Sequence, residues 1–130
     1  MFFMKTTKYL YFFFIFSLSI YAQKTSPQIE FKSTVIDYGI IENGSDGERI
    51  FNFKNIGNEE LIITNVQSSC GCTIPKKPDA PIGPGKSGEI IVRYDTKRVG
   101  PFRKTIKVYT NQINNQIIEL KLKGSVLPIQ

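Results

Sequence analysis

Cys70 and Cys72 are the only cysteines of this 130-residue sequence, and a single glycine separates them. Thiols at that spacing admit three chemistries. They can form a local clip, a disulfide whose small ring is strained and readily reduced, or stay as half-buried turn residues. Two thiolates also suit a soft ion such as Cu(I). A redox dithiol is the third reading, although the Cys-x-x-Cys spacing and the helix N-terminus that lower a thiol pKa are missing. A closed zinc site needs four ligands, and the chain has no histidine and no further cysteine. A metal here would need nearby carboxylates or a second chain. Cys70 and Cys72 are therefore the one soft-metal or disulfide candidate; no catalytic residue and no cofactor is expected, and the sequence does not identify the binding residues.

The absence of histidine removes most general-base mechanisms, including the Ser-His-Asp and Cys-His arrangements. Pro84-Gly85-Lys86-Ser87 carries the tail of a phosphate-binding loop, but position 80, where such a loop has its first glycine, is alanine. A strand rather than a helix is expected to follow, so no helix N-terminus would hold the phosphate. Asp37 and Glu42, Asp46 and Glu48, and Glu59 with Glu60 are the close carboxylates. They fall at loops or strand ends without calcium-loop spacing and read as solvated surface. Asn43-Gly44-Ser45 matches a glycosylation sequon, though Asn-Gly is more simply a turn. Tyr94 and Tyr109 are strand tyrosines that could meet a partner or glycan, or pack across strands.

The elements that position these residues read as strands throughout. Short alternating or β-branched runs are separated by Gly, Pro, Asn and Asp, with no convincing helical period after residue 23. Expected strands are residues 28–32, continued after a small break by 34–38, then 48–55, 61–66, 88–95, 102–111 and 116–126. In 48–55, Phe51 and Phe53 face inward, with Arg49 on the same parity at the rim; Ile90, Val92, Tyr94, Phe102, Ile106, Val108, Ile118, Leu120 and Leu122 are the other core candidates. Leu61-Ile62-Ile63 suggests a central strand covered on both faces. Residues 97–101 read as a hairpin loop. Residues 68–87 hold Pro75, Pro78, Pro81 and Pro84, and read as an irregular crossover between sheets with room for one short strand. About seven antiparallel strands in roughly 100 residues is the size of an immunoglobulin-like β-sandwich. There is no Trp, and the cysteines are too close in sequence to join two sheets.

Residues 1–22 are set apart. Lys5 and Lys8 precede an uncharged run from Tyr9 to Ile20, and the small residue Ala22 stands before Gln23. This is the pattern of a secretory signal peptide cleaved between Ala22 and Gln23. The apolar run is shorter than the roughly 20 residues of a spanning helix, so the membrane is met only through the leader. The domain proper is then 23–130. Formal charge is +6 for the whole sequence and falls to +4 without the two leader lysines. That surplus is scattered, and a nucleic-acid face would need a dense basic stripe.

Ser69-Cys70-Gly71-Cys72-Thr73 resembles the signature of a bacterial family, domain of unknown function 1573. Asn55-Ile56-Gly57 with Leu61-Ile62-Ile63 and Val66, Pro84-Gly85-Lys86-Ser87-Gly88-Glu89-Ile90, Gly100 to Ile106, Thr110-Asn111 and Leu122-Lys123-Gly124 agree with its other stretches. The likeness covers about residues 28–126. It implies an immunoglobulin-like sandwich of the kind shared with the Hydin group, major sperm proteins and pilus chaperones, in secreted or envelope proteins. It implies no reaction, substrate or ligand, and maps paired cysteines onto Cys70 and Cys72.

Residues and resemblance together lead to an exported, non-enzymatic module of the periplasm, outer-membrane surface or extracellular space. Its expected partner is another envelope or secreted protein, not nucleic acid, met by a strand edge or a sheet face. The first and last strands are the expected edges. The alternative is an extracytoplasmic thiol protein that binds copper or exchanges disulfides through Cys70 and Cys72.

Overall fold

The computed structural model describes residues 25–130. The expected leader, with its cleavage point at Ala22 and Gln23, lies outside the described residues. Eight strands and no helix make up the described chain: β1 Ile29–Phe31, β2 Val35–Ile41, β3 Glu48–Asn55, β4 Ile63–Ser68, β5 Thr73–Lys76, β6 Ser87–Tyr94, β7 Gly100–Thr110 and β8 Ile117–Val126. They form two four-stranded sheets, ordered β1-β3-β6-β5 and β2-β8-β7-β4. The expected all-β sandwich is what the chain folds into.

Alternation drives the packing. Phe51, Phe53, Ile90, Val92 and Tyr94 point inward from the first sheet, and Tyr38, Phe102, Ile106, Val108, Leu120, Leu122 and Val126 from the second. Each such side chain contributes about 1.5–3 kcal/mol when fully buried, so the core needs no cross-link to hold the sheets. At one end, Tyr94 and Phe102 stack at 3.8 Å, and Tyr38 meets both rings edge-on. Gly124 makes room for this cluster. A Cβ there would lie 2.8 Å from Tyr38 Cβ and 2.9 Å from Phe102 Cζ.

Several expectations are corrected. There are eight strands rather than seven, and β2 pairs with β8 in parallel. The break after Lys32 is a change of sheet, because β1 pairs with β3 in the first sheet and β2 with β8 in the second. Residues 97–101 do not form a hairpin; they arch between sheets, since β6 and β7 lie in different ones. β4 is an edge strand, not a central one: Leu61 is buried in a bridge to Ile82, Ile63 faces the core, and Ile62 is exposed. β1 is an edge as expected, but β8 is interior, between β2 and β7. Tyr94 is buried, as expected from its inward parity in β6, which leaves no room for the partner contact also considered for it.

Candidate functional site

The crossover from β4 to β5 carries Cys70 and Cys72 from the second sheet to the first, and the two are joined by a disulfide. Local bonds shape the turn. Ser68 Oγ donates to the Cys70 carbonyl at 2.6 Å and accepts from the Cys70 N–H at 3.2 Å. The Thr73 N–H reaches back to the Cys70 carbonyl, and the Asp95 N–H donates to the Cys72 carbonyl at 2.9 Å. Cys72 is buried in the core cluster, whereas Cys70 is half-buried at its rim. The Cys72 N–H donates to Cys70 Sγ at 3.3 Å. A bridge across so few residues removes little entropy from the unfolded chain, worth under about 2 kcal/mol, against about 4.7 for a 100-residue loop. Stability is a poor reason for this bond.

Beside the disulfide lies a shallow depression of about 470 Å³, lined by Gly44–Gly47, Gly71, Cys72, Ile74 and Arg93–Lys97. The loop before β3 is held by the Tyr38 hydroxyl, which donates to the Gly47 carbonyl at 2.7 Å. The Arg49 guanidinium sits 4.2 Å over the Tyr38 ring, a cation–π contact that sequence parity alone places only at the rim. Burial pushes the Tyr38 phenol up to about 12, with Arg49 opposing and Asp46 and Tyr94 adding to the rise. Thr73, next to Cys72, has a buried hydroxyl with no hydrogen-bond partner.

The other sequence features stay apart from this site or become turns. Pro84-Gly85 is a turn with positive φ at Gly85, whose N–H donates to the Asn55 carbonyl. Asn43-Gly44-Ser45 is also a turn, with Asn43 Nδ2 donating to the Lys97 carbonyl at 3.2 Å. Asp37 and Asp46 cap the N–H groups of Gly39 and Glu48, and Glu48 pairs with Arg93 at 2.9 Å. Tyr109 packs across strands, its hydroxyl bonded to Gln67 Oε1 at 3.2 Å. Among the described residues no three His, Cys, Asp or Glu side chains converge on a point that could hold a metal ion. In the disulfide neither sulfur is a thiolate.

Sequence reasoning missed two features. The first is the state of the sheet edges. In β1 the Ile29 N–H is taken by Gln112 Oε1, in β2 the Val35 N–H by Ser33 Oγ, and in β4 the Val66 N–H by Asn65 Oδ1. In β5, Pro75 has no N–H to offer. On each of the four edges at least one donor that would face a fifth strand is thus occupied or missing. The second is an apolar patch on the outer face of the first sheet. Ile50 lies directly opposite Ile91, and Ile74 flanks them on β5, 66% exposed. Glu48, Asn52, Lys76, Glu89 and Arg93 surround the three isoleucines on the same face. The signal was present in the parity: Ile50 and Ile91 fall where polar residues belong.

The family model described as "Protein of unknown function (DUF1573)" matches residues 29–126. No curated protein matches the sequence. Among solved structures, a protein of unknown function from Porphyromonas gingivalis W83 is similar with a TM-score of 0.69 at 18% identity, over 78% of this chain and 47% of that one. The chain thus spans about half the length of that relative. The ASH/PapD-like domain 7 of human CEP192 is similar with a TM-score of 0.65 at 10% identity, over 81% and 89% of the two chains. The periplasmic chaperone SfaE is similar with a TM-score of 0.51 at 11% identity, over 79% and 59%. At these identities the likeness is one of fold.

Proposed function

The chain belongs to the DUF1573 family, and we propose that it is an exported, non-enzymatic module that binds another exported or envelope protein through the outer face of the β1-β3-β6-β5 sheet. The observation that carries this reading is the contrast between its edges and that face. An exposed sheet edge binds partners by offering free backbone donors, and here at least one such donor is capped or absent on each edge strand. The Ile50–Ile91–Ile74 patch with its polar surround has the character of a protein contact. The outer face of the other sheet differs. Arg103 lies opposite Lys123, which also pairs with Asp37 at 4.0 Å, and Lys107 lies opposite Glu119; charged pairs of this kind on an outer face stay hydrated. Export rests on the leader pattern of residues 1–22, and the periplasmic setting of one structural neighbour agrees with it.

A photo-reactive residue placed at Ile74, and separately at Thr105 on the opposite face, tests the reading in cells of the native host. The expected result is one dominant heterologous cross-link from Ile74 and none from Thr105. Its purified partner should then bind at least tenfold more weakly to Ile74→Asp at unchanged melting temperature. Cross-links that form only between copies of this chain, or only from Thr105, overturn it.

A further inference from the structure

We propose that Cys70–Cys72 is a thiol–disulfide exchange site that oxidises a pair of thiols on an extended segment of a partner protein, with Cys70 as the sulfur that is attacked. The inference concerns the sulfurs and the loops around them, and shares only Ile74 and Arg93 with the sheet-face reading. Four observations lead to it.

The two sulfurs are unequal: Cys72 is 7% exposed and packed in the core, while Cys70 is half-buried and reachable. Approach is open, because a Cβ built on Gly71 between them would meet nothing within 4 Å. The Cys72 N–H, 3.3 Å from Cys70 Sγ, is placed to stabilise a thiolate there. A bond to the charged form favours it, and a disulfide whose reduced form is stabilised is a stronger oxidant. Finally, a depression lined by Gly71 and Cys72, though not by Cys70 itself, lies beside the bridge, walled largely by Gly44–Gly47 and Asp95–Lys97, with Ile74 at its side. Such a shallow, loop-lined trough suits an extended peptide.

The exchange balances without a further reagent. A partner thiolate attacks Cys70 Sγ. The Cys70–Cys72 bond breaks, and its electron pair leaves on Cys72 Sγ, which takes a proton. The partner's second thiolate then attacks the partner sulfur of the mixed disulfide, and the electron pair of the partner–Cys70 bond leaves on Cys70 Sγ, which takes the second proton. Two electrons and two protons pass from the partner dithiol to the chain, which ends as a dithiol while the partner ends as a disulfide. Each chain performs one such round.

The purified protein is equilibrated with glutathione buffers and, separately, with a reduced synthetic peptide bearing two cysteines, and the products are read by intact mass. The expected results are one-for-one oxidation of the peptide and a half-reduced point in buffers where a structural disulfide stays closed. Offered oxidised glutathione, Cys72→Ser should accumulate a Cys70–glutathione mixed disulfide with release of one reduced glutathione, while the lone Cys72 of Cys70→Ser reacts at least tenfold more slowly. A wild-type disulfide that remains closed in excess reduced glutathione overturns the proposal, whether or not the variants fold. Equal reactivity of the two single cysteines overturns the assignment of Cys70. Cross-linking from Ile74 reads the sheet face and the glutathione equilibrium reads the sulfurs, so either reading can fail while the other holds.

Discussion

Tyr38 ties three features together at residue scale. Its ring belongs to the aromatic cluster with Tyr94 and Phe102, its hydroxyl holds the loop at Gly47, and Arg49 covers its face. Burial is the main reason its pKa rises to about 12, from about 10 in an unfolded chain. Between those values the folded protein keeps a proton that the unfolded chain releases. The stabilisation is therefore complete below pH 10 and is lost as pH rises towards 12. Denaturant titrations across that window should show a steeper loss of stability for the wild type than for Tyr38→Phe. Equal slopes would mean that the phenol is not desolvated as described.

Asn55 sets the behaviour of the turns at the opposite end, and its consequences belong to the elements. It ends β3 fully buried, and its side chain serves three separate segments. Nδ2 donates to the carbonyls of Glu59 and Ile82 at 2.7 and 2.9 Å, while Oδ1 accepts from Gln28 and Gly57 at 3.3 and 3.0 Å. Asn55→Ala strands those groups, and a cost of about 2–4 kcal/mol is expected in urea unfolding, with no change at the disulfide. Little of this was legible in the sequence. The strands from 48 to 55 and from 116 to 126 could be read because their apolar residues alternate against charged ones. The sheet to which each strand belongs could not, because Lys32-Ser33-Thr34 and residues 97–101 look like ordinary turns whether they fold back or cross over. Leu61-Ile62-Ile63 misled for a related reason: the three residues serve a bridge, the surface and the core, and a run of apolar letters does not show that division. At the candidate site the cysteines were visible as a pair. Their unequal burial was not, since it depends on Asp95, Tyr94 and the loop before β3, all distant in sequence.

On the scale of the whole molecule, the sandwich separates its surfaces. One outer sheet face carries the patch of Ile50, Ile74 and Ile91, the other mixes Arg103, Lys107, Lys121 and Lys123 with Asp37 and Glu119, and the end that bears the disulfide carries the loop-lined trough. The capped edges have a consequence for folding yield. A chain of sheets that refolds in a crowd ordinarily risks being templated by its neighbours, strand against strand. Here Ser33, Asn65 and Gln112 each occupy one outward backbone donor of an edge strand from within the same chain. Recovery after dilution from denaturant should therefore depend little on protein concentration. In the triple variant Ser33→Ala, Asn65→Ala, Gln112→Ala, light scattering should rise with concentration while the soluble fraction keeps its fold. Three small polar side chains would then set how densely this protein can be made before it clumps.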